Sequence, residues 1–214
     1  MGASELSLEL MSLSSKFTLE DSSVDQSLMS DSEFKAKLNY KWLFSTRVHL
    51  IFSLSQEVYS FKSRDSSSSI IAISQDESLR LSEFEVGVRF VISPKSALSI
   101  SSVNRDELVL TQEDSSLYEF SSKEINFFRL KYNQVLIQFR FFNIGFSGFY
   151  DTEVSEEDLD SRSAFGGRIY SVIGRSAHRL RVAYGKSITA KNLEVSQVKQ
   201  ENSLASLEYI YRFK

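Results

Sequence analysis

The chain of 214 residues contains no cysteine, one proline (Pro94), two histidines (His49 and His178) and eight glycines. Without cysteine there is no disulfide framework, no thiolate metal site and no thiol nucleophile. Two histidines leave little for an imidazole metal site, and no zinc-type spacing is present. No apolar run approaches the ~18 residues a membrane helix requires. Net charge is −3 with a pI of about 5.6, so there is no global basic footprint and no nucleic-acid partner is expected. Phosphate-cradling loops and dinucleotide-type glycine patterns are missing as well. Met1-Gly2-Ala3-Ser4 runs directly into strand-like sequence, so an exported protein implies a leader already removed.

What is present is alternation. From Glu33 to Phe44 the even positions are apolar (Phe34, Ala36, Leu38, Tyr40, Trp42, Phe44), while the odd ones are Glu33, Lys35, Lys37, Asn39, Lys41 and Leu43. A strand sends successive side chains to opposite faces, so this reads as one greasy and one charged face. The pattern recurs around Val48–Leu54, Phe84–Ile92, Phe128–Tyr132, Val135–Phe141, Leu180–Tyr184 and Leu207–Phe213. It places ten strands at 4–19, 33–44, 47–61, 79–92, 96–111, 118–132, 135–150, 162–173, 177–190 and 202–213. The apolar phase of the first slips between Leu10 and Leu13, and Phe165-Gly166-Gly167 blurs the faces of the eighth.

Connections alternate in length. Tight turns are expected at Ser45-Thr46, Ser93-Pro94-Lys95, Asn133-Gln134 and Gly174-Arg175-Ser176, and longer polar loops after the other strands. That is an all-β, ten-stranded antiparallel up-and-down meander. It forms one domain over residues 1–214, with every short turn at one end. A soluble barrel would turn the apolar face inward around a small ligand. A transmembrane barrel turns it outward into lipid. Loop asymmetry and aromatics near strand ends (Tyr40, Trp42, Phe44, Tyr132, Tyr209, Tyr211, Phe213) favour the membrane, where such rings form an interfacial girdle.

The segment Leu207-Glu208-Tyr209-Ile210-Tyr211-Arg212-Phe213 resembles the closing signature of bacterial outer-membrane β-barrel proteins, although Lys214 follows the aromatic. The resemblance implies short periplasmic turns, longer extracellular loops and an outer-membrane location. Its implied partners are the lipid bilayer, lipopolysaccharide and the barrel-assembly machinery, which reads the last strand. It identifies no particular family within the class.

In that arrangement the charged face lines a lumen. Its expected members are Lys35, Lys37, Lys41, Arg47, His49, Glu57, Glu83, Glu85, Arg89, Arg105, Glu107, Arg129, Lys131, Arg140, Arg181, Glu208 and Arg212. The set is net basic, whereas acid collects in loops, most densely from Asp151 to Asp160. Buried charges must be paired or hydrated. A bridged lumen would be a plug acting through its acidic loops, in adhesion, surface recognition or envelope structure. A hydrated one would be a narrow channel for a small solute. Neither histidine suits the omptin proteases, whose His–Asp pair sits on the extracellular rim, because His49 and His178 both adjoin short turns. Ser176-x-His178 reverses the His-x-Ser order of outer-membrane lipid hydrolases. No catalytic constellation, metal or cofactor is expected.

Overall fold

The computed structural model describes residues 3–20, 26–63, 76–114, 117–154, 162–175, 177–192 and 197–213. Eleven strands make one antiparallel sheet: β1 (Ser4–Glu20), β2 (Gln26–Met29), β3 (Ser32–Trp42), β4 (Val48–Phe61), β5 (Glu77–Ser93), β6 (Ser96–Asp114), β7 (Leu117–Gln138), β8 (Phe142–Glu153), β9 (Arg162–Arg175), β10 (His178–Asn192) and β11 (Gln197–Phe213). Each long strand pairs with its sequence neighbours, and β1 pairs with β11 from Ser4↔Phe213 to Glu20↔Gln197, closing the sheet into a ten-stranded barrel. No helix occurs among the described residues. Closure pairs the backbone of every long strand on both sides, as a sheet in hydrocarbon requires.

The apolar face points outward. Leu8, Leu38, Leu54, Phe84, Phe128, Ile169, Val182 and Leu207 are all exposed. The soluble alternative is thereby excluded, since its exposed face would be the charged one. The band is limited in height. On β5 the outward residues are apolar from Ile92 to Phe84, then become Ser82, Arg80 and Ser78. On β1, Leu6, Leu8 and Leu10 give way to Ser12, Ser14 and Lys16; on β7, Phe128 gives way to Asn126 and Glu124. A spanning strand needs only ~9–11 residues. The excess length of the 17-residue β5 and 22-residue β7 therefore stands beyond the band at the long-loop end.

Three expectations about connections are corrected. Asn133-Gln134 is not a turn: β7 continues to Gln138, and its hairpin turn lies at 139–141. A register shift between Val135 and Ile137 lets the strand carry on past the apparent break. The long loop expected after the fifth strand is instead a hairpin, with β6 reaching Asp114 and β7 starting at Leu117. The segment between the first two expected strands contains β2, which pairs with β1 beyond β3. The pairing shifts by one residue between Leu13↔Glu33 and Lys16↔Met29, which turns Leu28 into the interior, where it is buried.

The β1 phase slip has no geometric counterpart. Inward positions continue as Ser7, Glu9, Met11, Ser15 and Phe17 without a break. The chemistry of the two faces exchanges because the strand leaves the lipid band.

Candidate functional site: a charged bore with two cavities

Strand parity directs the candidate charges. Lys35, Lys37 and Lys41 project inward from β3, His49 and Glu57 from β4, and Glu83, Glu85 and Arg89 from β5. Arg105 and Glu107 do so from β6, Arg129 and Lys131 from β7, Arg181 from β10 and Glu208 from β11. Arg212 has the same parity and lies exposed at the short-turn rim. Arg47 and Arg140 do not line the bore. Both lie in short turns outside the strands and are exposed. Arg140 was assigned by extending strand alternation through residues that the β7–β8 hairpin uses to reverse direction.

On the β3–β8 side the bore is laced with ion pairs. Lys37 donates to Glu85 at 2.9 Å and to Glu83 at 3.2 Å. Lys35 reaches Glu57 at 3.2 Å and Glu83 at 3.4 Å. Arg129 contacts Glu83 and Glu85, each at 3.2 Å, and forks onto Asp151 with two bonds of 2.8 Å. Arg105 adds a bond to Asp151 at 3.2 Å and pairs with Glu107. Ser101 and Ser53 supply Glu85 with further donors. Glu83, Glu85 and Asp151 thus each have several donors, the condition under which buried ions stop being a net cost.

Five partners escaped the sequence reading. Glu5 accepts from Lys41 at 2.5 Å and Arg179 at 2.6 Å; Glu9 accepts from Arg168 at 2.6 Å. Glu5 and Glu9 alternate with Leu6, Leu8 and Leu10 ahead of the β1 phase slip, a parity signal that could have found them, whereas Arg168 follows the glycines that blur the two faces of β9. Asp151 stood in an acidic run that read as loop, yet it is in β8 and wholly buried. Arg179 shares parity with Arg181, a signal that could have found it.

Toward the long loops the inward face becomes apolar. Phe17, Tyr59 and Phe61 form one aromatic cluster, with centroids 6.0–6.4 Å apart. Val103, Ile125 and Phe127 form another, over which the Arg105 guanidinium sits 4.2 Å from the Phe127 centroid.

The β9–β11 wall is built differently. Its inward positions include Ala164, Gly166, Ala183, Gly185, Ser187 and Ser206. Neighbours take up the room at the two glycines: the Phe149 ring and Ser187 crowd the place of a Cβ on Gly166, and Arg168 that of one on Gly185. A cavity of about 300 Å³, lined on this side by Ala164 and Ser187, extends from Glu208 and Arg181 to Thr189 and Gln200. A second, of about 630 Å³, occupies the short-turn end among Phe44, His49, Lys95, Arg179 and Arg212. Glu5, Lys41, Arg89 and Asn133 line both and form the throat between them.

No family model matches the sequence, and no curated protein matches it by sequence. The architecture does find counterparts. The outer-membrane protease OmpT of Escherichia coli superposes with a TM-score of 0.54 at 8% identity, over 99% of this chain and 96% of that one. The translocator domain of the autotransporter NalP from Neisseria meningitidis gives a TM-score of 0.51 at 9% identity, over 97% and 88%. The fold is that of a bacterial outer-membrane β-barrel. Identities this low speak to fold alone.

In this outer-membrane barrel the short turns gather at one end and the long loops at the other. Tyr40, Trp42, Tyr209, Tyr211 and Phe213 face outward at the short-turn ends of β3 and β11, with Phe44 exposed just beyond β3. Tyr132 also faces outward, but β7 continues six residues past it, and the exposed rings at that corner are Phe139 and Phe141. His178 joins the girdle: its Nδ1 is 2.5 Å from the Tyr209 hydroxyl, and its ring packs 5.1 Å from Tyr211. His49 sits at the opposite wall of the same short-turn end. Ser176 lies outside the described residues. Among the described residues no cluster of three His, Asp or Glu is arranged to hold a metal.

Proposed function

We propose that this barrel resides in the outer membrane as a narrow passive channel for small solutes, with a basic throat at its periplasmic half. The observation that carries this reading is the pair of cavities in series, which share the lining residues Glu5, Lys41, Arg89 and Asn133. A side-chain-filled barrel would be expected at eight strands. Here ten strands, with Ala164, Ser187 and Thr189 on the wall facing the ionic lattice, leave a path beside it. Cations outnumber carboxylates around the throat, so anions should be favoured. The lipid bilayer and lipopolysaccharide would surround the band, and the β11 aromatics would be presented to the barrel-assembly machinery. Catalysis forms no part of this reading, because both histidines sit at the periplasmic end with no acidic hydrogen-bond partner among the described residues.

A second reading has its own support. The ionic lattice together with the Phe17–Tyr59–Phe61 and Val103–Ile125–Phe127 clusters would hold the bore shut. The protein would then act through its projecting extracellular hairpins in adhesion, recognition or envelope structure.

Conductance of the refolded protein in planar bilayers separates the two. Stable steps with an anion-selective reversal potential, moved toward cation selectivity by Arg89→Glu, support the channel. Inserted barrels that carry no current under a salt gradient overturn it and leave the second reading.

A further inference from the structure

The ionic lattice does not absorb every cation in the bore. Arg89 and Lys131 make no ion pair among the described residues, and Arg181 reaches Glu208 only at 3.5 Å. The Arg181 guanidinium lies over the Tyr170 ring, 4.0 Å from its centroid. That ring is seated in the space left by Gly145, where a Cβ would lie 2.5 Å from the phenol oxygen. Nε and Nη2 of Arg181, Nε of Arg89 and Nδ2 of Asn133 are buried donors without a hydrogen-bond partner. The carboxylates nearby are engaged elsewhere. Glu5 accepts from Lys41 and Arg179, and Glu208 accepts from Ser7 at 2.5 Å.

These groups line adjoining stretches of the bore. Arg89 and Asn133 belong to the throat, Arg181 and Lys131 line the central cavity above it, and Tyr170 lines the periplasmic vestibule below. Unmet donors alone would call for water. Unmet donors on guanidinium groups with no ion pair, as in Arg89, or with one long one, as in Arg181, favour negative charge, because a poorly paired buried ion is costly. A guanidinium presents its N–H groups as a planar fork that matches two oxygens of a carboxylate, phosphate or sulfate. The amide of Asn133 adds a neutral donor.

We infer that the throat is a binding site for a small oxyanion that enters from the periplasmic vestibule. Arg89, Arg181 and Asn133 donate to its oxygens, and Lys131 contributes charge from the cavity side. The site deepens the channel reading by naming a solute class, yet it requires no current through the barrel.

The test is calorimetric titration of the folded full-length chain in detergent micelles with inorganic phosphate, at ionic strength held constant with chloride. Saturable binding is expected, weakened at least tenfold by Arg89→Gln and by Arg181→Gln, and unchanged by Arg80→Gln on the outer surface. A titration without saturable heat overturns the site, as does binding that both bore substitutions leave intact. Should those variants not fold, the unaltered chain still decides: phosphate must raise its thermal midpoint more than chloride at equal ionic strength, and equal midpoints refute the site. Repeating the titration with acetate distinguishes a phosphate-type from a carboxylate ligand. Phosphate binding by a barrel that never conducts supports the site and removes the channel; conductance without binding does the reverse.

Discussion

Arg129 on β7 and Asp151 on β8 meet as a two-pronged pair, Nε to Oδ1 and Nη2 to Oδ2, each at 2.8 Å, with Asp151 wholly buried. The two residues are directly cross-strand. Arg105 from β6 joins the same carboxylate, so three adjacent strands are tied through one side chain. Removing one partner of a buried pair typically costs about 3–5 kcal/mol, whereas replacing both with apolar groups can be neutral. Asp151→Asn should therefore lower the stability measured by urea unfolding in lipid vesicles by about that amount. Arg129→Met combined with Asp151→Leu should recover part of the loss. A single variant as stable as the parent would mean that the lattice contributes nothing to the fold.

The edge of the lipid band is equally testable. Leu8 faces outward within it, and Ser14 faces outward beyond it on the same strand. Arginine on the lipid face costs about 2–4 kcal/mol near the midplane and little at the interface. Leu8→Arg should destabilise the folded barrel by that order in vesicles, and Ser14→Arg by less than about 1 kcal/mol. Equal costs at the two sites would misplace the boundary.

Two glycines make a matched comparison. A Cβ on Gly145 would lie 2.4 Å from the Gln134 carbonyl and 2.5 Å from the Tyr170 hydroxyl, whereas on Gly148 the nearest atom is 3.6 Å away. Gly145→Ala should cost about 1–3 kcal/mol, the usual range for overpacking. Gly148→Ala, pointing into lipid, should fall within about 0.5 kcal/mol of the parent. Reversal of that order by chemical unfolding would contradict the packing of Tyr170 against β8.

The absence of cysteine makes sidedness easy to read. Ser45 is exposed in a short turn and Ser63 is exposed at the far end of β4. On intact cells a membrane-impermeant maleimide should label Ser63→Cys and spare Ser45→Cys until the outer membrane is permeabilised. The opposite labelling would invert the barrel.

Much of the architecture is legible because a strand's side-chain period is two and its faces meet different solvents. From Phe34 to Trp42 every second residue is apolar, and those residues face lipid. The Leu207–Phe213 pattern belongs to the strand that closes the barrel on β1. The reading failed where the solvent changed along a strand. Past Leu10 on β1 the outward side meets water and the inward side meets Phe61 and Leu28, so the chemical alternation inverts while the backbone parity continues. A local pattern cannot separate that inversion from a bulge or a turn. For the same reason Asp151, counted with the loop acids, emerged as the most deeply buried charge.

Alternation and loop lengths along the chain determined that the protein is a ten-stranded meander with one charged face. They could not determine which charges meet. Lys37 with Glu85, Arg168 with Glu9 and Arg179 with Glu5 pair across strands that are not neighbours in the sheet, at sequence separations that no periodicity relates. Barrel closure and stagger decided those pairings. They also decided which guanidinium groups, those of Arg89 and Arg181, were left facing the bore with donors to spare, because only the three-dimensional distribution of carboxylates fixes where positive charge is poorly paired.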